Sequence, residues 1–217
     1  MPQFAAPLRR NSMEWYEDEV RSLELVQREH PAPSNSVVFY GSSSFRLWDT
    51  LEQDFSGAPV VNRAFGGSTL AACVFFFERL IPPCRPGALI FYAGDNDLGD
   101  GIKPELVLDS FCKLKDKIRR HLPGVPFAFV AIKPSPSRWN IIDRIKLVNE
   151  LVKSEIATWP EASYLDLFPE MLDTDGRPVT EYFDEDGLHL SPLGYRLWTR
   201  LISMWEPLMV YGDSTHA

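Results

Sequence analysis

The chain is short of cysteine, of histidine and of long apolar runs, and each shortage removes a class of protein. Three cysteines in 217 residues, Cys73, Cys84 and Cys112, are odd in number and lack the spacing of a metal-ligand set. A disulfide framework is therefore not expected, and a reducing compartment, the cytoplasm, fits best. The first twenty residues contain no apolar core of the kind that a secretory signal needs. The longest apolar stretches, such as 71–77, fall far short of the roughly 20 residues that span a bilayer. No stable membrane association is expected. Positive charge is in deficit as well: 22 lysines and arginines against 30 acidic residues leave a net charge of −8. Nucleic acid needs a concentrated basic surface, whereas the one basic cluster, Lys113 to Arg120, alternates with apolar residues at helical spacing. It reads as the solvated face of a helix, and no nucleic-acid partner is expected. The four histidines are scattered and form no ligand cluster, so no metal is expected; no organic cofactor is expected either.

What remains is the composition of an ordinary folded domain, 45% hydrophobic and 24% charged. The length suits one domain with a full core and is short for two. Residues 1–35 read as an N-terminal helical extension packing on that domain. Its helix covers about 12–29, with Ser12 as a plausible cap, until His30-Pro-Ala-Pro breaks it. From residue 36 to 217, short β-rich runs alternate with helical patterns. The strand candidates are 36–40, 60–62, 88–93, 127–132 and 163–167, and they read as continuous apolar runs buried on both faces. Helical segments fall around 45–54, 69–80, 104–121, 138–158 and 192–205. This alternation predicts an α/β fold of three layers, a five-stranded parallel sheet with helices on both faces. Ligands of such sheets bind beyond the carboxyl ends of the strands, so the residues that follow each strand matter most.

Gly41-Ser42-Ser43-Ser44-Phe45 follows the first strand. A serine opening a helix lies close to free backbone N–H groups that favour developing negative charge, although Ser is also a common cap. The nucleophile elbow G-x-S-x-G is excluded, because Phe45 stands where its second glycine would be. Phe65-Gly66-Gly67-Ser68-Thr69 follows the second strand and offers either an unobstructed N–H or only a tight turn. Gly94-Asp95-Asn96-Asp97-Leu98-Gly99-Asp100-Gly101 follows the third. It fails the EF-hand pattern, since Asp95 as first ligand puts Gly99 at a ligand position, which leaves Asn96 as a side-chain donor or a polar loop tip. Near the C-terminus, Asp186-Gly187-Leu188-His189 precedes the final helix. That spacing on a turn lets a carboxylate hold the imidazole Nδ1–H and leaves Nε2 to take a proton from a serine. A nucleophile, an oriented base and two N–H donors at one sheet edge are the parts that acyl transfer requires.

These blocks, in this order, resemble the SGNH or GDSL-type hydrolases, a flavodoxin-like branch of serine esterases. The resemblance spans about 36–205. It implies Ser43 as nucleophile, Asp186 and His189 as its base, and an oxyanion hole formed by the N–H groups of Ser43 and Gly67 with the Asn96 side chain. Two positions depart from the family pattern: Ser42 stands where an aspartate usually precedes the nucleophile, and Ser68 follows the glycine pair. Their hydroxyls are expected to replace a carboxylate's hydrogen bonds. Phe45, Arg46, Phe65, Leu98 and the stretch from Lys133 to Trp139 are the candidate substrate contacts, Trp139 being equally placed to pack in the core. The expected partner is a small-molecule ester with a short acyl group, or an acetylated small molecule or carbohydrate. The alternatives are a non-catalytic binder on the same fold and a lysophospholipase or thioesterase-type acylhydrolase. The N-terminal helix is a candidate contact between copies in a homo-oligomer, but Trp15 and Leu23 are equally placed to pack on the domain itself.

Overall fold

A computed structural model describes residues 12–213; residues 1–11 of the expected extension and 214–217 lie outside the described part. Five parallel strands, β1 (Val37–Gly41), β2 (Val60–Asn62), β3 (Ala88–Tyr92), β4 (Phe127–Val130) and β5 (Ala162–Leu165), form one sheet in the order β2-β1-β3-β4-β5. Successive residues of β1 face opposite sides, as a strand's period of two requires. Val38 and Tyr40 join one core, while Val37 and Phe39 join the other. The unbroken apolar runs in the sequence follow directly from that double burial.

Helices α1 (Glu17–Glu29), α4 (Leu70–Leu80), α6 (Pro104–His121) and α7 (Ile142–Ile156) cover one face. The other is covered by α2 (Ser43–Arg46), α3 (Leu51–Asp54), α8 (Pro192–Ile202) and α9 (Glu206–Asp213), with Trp48 and Trp198 buried beneath them. Helix α1 is anchored by Val20 in the core and by Arg79 of α4, which pairs with Glu17 at 2.9 Å and Glu24 at 2.8 Å. Leu23 packs against the same core, whereas Trp15 stays partly exposed with its ring edge on Tyr16. No helix among the described residues is long and apolar enough to cross a membrane.

Three segments differ from the sequence expectation. The single helix around 45–54 is two short ones, because Trp48 turns into the core and its indole N–H, together with the Thr50 hydroxyl, donates to the Asp54 carboxylate. Those side-chain bonds stabilise a turn at the expense of helix continuity. Residues 136–141 form a 3-10 turn led by Pro136 before α7 begins. Strand β5 is only half-buried, since it lies at the sheet edge with a neighbour on one side.

The strand order reverses between β1 and β3, which opens a crevice at their carboxyl ends, the usual ligand site in such sheets. Gly41 is required there. Its φ is +139°, and a Cβ would lie 1.9 Å from the Tyr92 carbonyl oxygen. Only glycine lets β1 run this close to β3 and then deliver Ser43 to the crevice.

Candidate active site

Ser43 is the first residue of α2, half-buried at the end of β1. The segment 184–190 reaches it from the far end of the chain as a closed turn. Phe183 and Leu190 bridge its base, and the Asp184 N–H donates to the His189 carbonyl at 2.9 Å. Ser191 then caps α8 by accepting the Gly194 N–H, with Pro192 at the first helical position. Within the turn, Asp186 Oδ1 accepts the N–H groups of Leu188 at 2.8 Å and His189 at 2.9 Å, and Oδ2 lies 2.5 Å from His189 Nδ1. His189 Nε2 stands 3.1 Å from Ser43 Oγ. The structure thus brings together Ser43, His189 and Asp186 in one hydrogen-bonded line. Burial alone raises the affinity of Asp186 for a proton, but the two backbone N–H bonds and the imidazole outweigh it and hold the carboxyl below its ordinary range. A charged carboxylate at Nδ1 favours the tautomer whose Nε2 lone pair faces the serine hydroxyl.

The expected oxyanion donors Gly67 and Asn96 follow β2 and β3. Gly67 adopts φ +61°, a left-handed conformation natural to glycine. Neither its N–H nor that of Ser43 donates to a protein acceptor among the described residues. Asn96 is buried in the short helix α5 (Asp95–Gly99) and is not at an exposed loop tip. One amide hydrogen of its side chain goes to the Ser68 carbonyl at 3.0 Å, which fixes the group and leaves its second hydrogen for another acceptor. Asp97 accepts the Leu70 N–H at 2.9 Å and so ties α5 to the start of α4; burial pushes its carboxyl up to about 7.

The departures at Ser42 and Ser68 resolve differently. The Ser68 hydroxyl donates to the Gly41 carbonyl at 2.9 Å and joins the second turn to the end of β1. Ser42 makes no such substitution. Its hydroxyl is buried without a hydrogen-bond partner among the described residues, and only its backbone is engaged: the N–H donates to the Tyr92 carbonyl, and the carbonyl accepts the N–H groups of Phe45 and Arg46.

Several expected substrate contacts are corrected. Phe45 and Phe65 have 0% exposure and Leu98 has 1%, so all three are core residues with no surface to offer. Arg46 is exposed but spends its Nε–H on Glu19 at 2.6 Å. Trp139 is half-buried beneath the Arg177 guanidinium, 5.1 Å from its ring centre. Lys133 is not at the surface at all; its ammonium donates to Ser44 Oγ (2.9 Å), Tyr92 Oη (3.0 Å) and Asp95 Oδ2 (3.2 Å) inside the fold.

The open space beside His189 lies elsewhere. It is a groove of about 620 Å³ lined by Leu47, Asp49, Thr50, Asp54, Asp184, Tyr195 and Arg196. These residues belong to the α2–α3 connection, the end of α3, the 184–190 turn and the start of α8. No strand end marks them in the sequence, and their common signal is only polarity near a helix start.

Comparison with known proteins places this geometry in context. The model of the GDSL-like Lipase/Acylhydrolase family matches residues 34–197. Platelet-activating factor acetylhydrolase IB subunit alpha1 of Bos taurus is 27% identical over 164 residues, covering 73% of this chain and 69% of that protein. Among solved structures, a Streptococcus pneumonia protein of 17% identity superposes with a TM-score of 0.77, covering 88% of this chain and 94% of its own. A GDSL-like lipase of Bacteroides thetaiotaomicron, 16% identical, gives a TM-score of 0.70 over 95% of this chain and all of the other.

Proposed function

The chain belongs to the GDSL-like lipase/acylhydrolase family, and we propose that it is a serine-dependent carboxylic-ester hydrolase of short acyl groups. The observation that carries this reading is His189, held at Nδ1 by Asp186 and facing Ser43 Oγ through Nε2. In the proposed cycle His189 takes the Ser43 proton as Oγ attacks the ester carbonyl. The carbonyl electron pair moves onto its oxygen, which the N–H groups of Ser43 and Gly67 and the free Asn96 amide hydrogen receive. Collapse expels the alcohol with the proton from His189. Water, deprotonated by the same imidazole, then releases the acid from Ser43.

The short-acyl assignment draws on two facts. The platelet-activating factor acetylhydrolase subunit of Bos taurus shares 27% identity with this chain, and the hydrophobic residues expected to contact substrate, Phe45, Phe65 and Leu98, are closed into the core. The groove beside His189 carries Asp49, Thr50, Asp184 and Arg196 among its lining residues, groups that can hydrogen-bond a hydroxyl-bearing alcohol portion, such as a sugar or another small acetylated molecule.

A fluorophosphonate probe followed by peptide mass spectrometry tests the nucleophile. One adduct per chain, on Ser43, is expected; absence of reaction would mark a binding protein rather than an esterase. In a panel of p-nitrophenyl esters, kcat/KM is expected to be highest for acetate and to fall as the acyl chain lengthens. Asn96→Ala is expected to lower kcat about 100- to 1000-fold on p-nitrophenyl acetate, the scale for one oxyanion donor. A loss below tenfold would remove Asn96 from the hole.

A further inference from the structure

Helix α1 and the turn before it lie upstream of the family-matched span 34–197, yet they reach the glycine turn that carries one of the proposed oxyanion donors. The Glu19 carboxylate accepts the Gly66 N–H at 2.9 Å through Oε2 and the Arg46 Nε–H at 2.6 Å through Oε1. The Tyr16 hydroxyl donates to the Gly67 carbonyl at 3.2 Å. These bonds fall in an informative order. The Gly66 N–H belongs to the peptide group before the Gly66–Gly67 peptide, and the Gly67 carbonyl belongs to the one after it. The peptide between them bears the Gly67 N–H.

A Gly-Gly peptide is the easiest in the chain to rotate, because neither flanking residue has a Cβ to resist the change in ψ and φ. A rotation by half a turn would present a carbonyl oxygen where the N–H stood, and repulsion would replace donation at the oxyanion. Fixing the peptides on both sides removes that freedom. Arg46 extends the clamp, since it ends α2, whose first residue is Ser43. One carboxylate therefore spans the turn of one proposed donor and the helix of the other.

We propose that Tyr16 and Glu19 are positioning residues for the oxyanion hole, acting through the Gly66–Gly67 peptide, so that the N-terminal helix is part of the catalytic apparatus without touching substrate. The inference rests on the esterase reading of Ser43 and on the Gly67 N–H as a donor. An inactive wild-type enzyme, or a Ser43→Ala variant that keeps turnover, would overturn that underlying reading instead.

The test compares variants on p-nitrophenyl acetate and measures inhibition by a short-chain trifluoromethyl ketone, whose carbonyl carbon bonds to Ser43 Oγ and whose oxygen becomes the oxyanion. Glu19→Ala is expected to lower kcat about tenfold, a fraction of a whole donor's worth, with KM little changed. Its inhibition constant for the ketone should rise by the same factor. Tyr16→Phe, which keeps the buried ring and removes one hydroxyl, should show a smaller loss of the same kind. Glu19→Gln retains an oxygen for the Gly66 N–H and should recover most of the activity. Glu24→Ala is the control: it deletes an ion pair of the same helix with Arg79 but touches no part of the turn, and should leave kcat and the ketone constant unchanged. Equal losses in Glu19→Ala and Glu24→Ala that follow melting temperature, or a Glu19→Ala enzyme with wild-type ketone affinity, would overturn the clamp.

Discussion

Ser43→Ala is expected to remove ester hydrolysis, with kcat falling on the order of a million-fold, the scale on which a serine enzyme loses its nucleophile. The fold should survive, because among the described residues the one side-chain hydrogen bond of Ser43 is that to His189 at 3.1 Å. Far-UV circular dichroism and melting temperature should match the wild type within a few degrees, which makes loss of activity attributable to chemistry. His189→Ala should cost a similar factor, and the double variant no more than either single one, since nucleophile and base act as one unit. Asp186→Asn tests the third member differently. It preserves shape but turns an acceptor toward a donor at Nδ1, and about a 10⁴-fold loss is expected from the wrong tautomer. Turnover retained by Ser43→Ala on p-nitrophenyl acetate would refute the nucleophile outright. Asp186 is held below the ordinary carboxylate range, so it stays charged at neutral and mildly acidic pH and keeps its hold on Nδ1.

The parts that could be read from the sequence are those whose partners are close along the chain or whose type is dictated by position after a strand. Asp186 and His189 are three residues apart in one turn, so their contact is local. The five strands announce themselves through double burial, as in the run Val37–Gly41. Ser43, Gly67 and Asn96 each follow a strand, and the sheet's topology brings strand ends together without further information. Hidden features depend on the tertiary fold. Lys133 follows an apolar strand and resembles any surface lysine until β1, β3 and β4 close around it. Glu19 and Gly66 are 47 positions apart, and no local pattern links them. The groove beside His189 is built from the α2–α3 break, which itself exists because Trp48 and Asp54 interact across a turn. Aromatic residues near the motifs were misread for the same reason. Phe45 and Phe65 flank the site in sequence, but the second core, built from α8 and Trp198, and the packing of Tyr16 claim them.

Lys133→Met is expected to destabilise the protein by about 3–5 kcal/mol, the cost of leaving one member of a buried ion pair without its partner. Lys133 is 1% exposed and Asp95 3%. Burial lowers the proton affinity of the ammonium, and the neighbouring Asp95 carboxylate works against that loss. Methionine fits the space of the lysine stem but returns none of the three hydrogen bonds to Ser44, Tyr92 and Asp95. For a chain of this size that corresponds to a melting-temperature drop of roughly 6–20 °C, read together with urea unfolding curves. The size of the penalty lies in the abandoned carboxylate, so Lys133→Met combined with Asp95→Asn should recover much of the stability, whereas Asp95→Asn alone should destabilise as well. Additive losses in that double-mutant cycle would show that the pair is not coupled. Activity adds a second signature. Ser44 adjoins Ser43, and Asp95 adjoins Asn96, so the ammonium joins α2, which carries the proposed nucleophile, to α5, which carries the proposed side-chain donor. At temperatures where both proteins are fully folded, Lys133→Met should still lower kcat. The double variant should regain stability more completely than turnover, because a neutral asparagine satisfies burial without restoring the bonds that hold α2 and α5 in register.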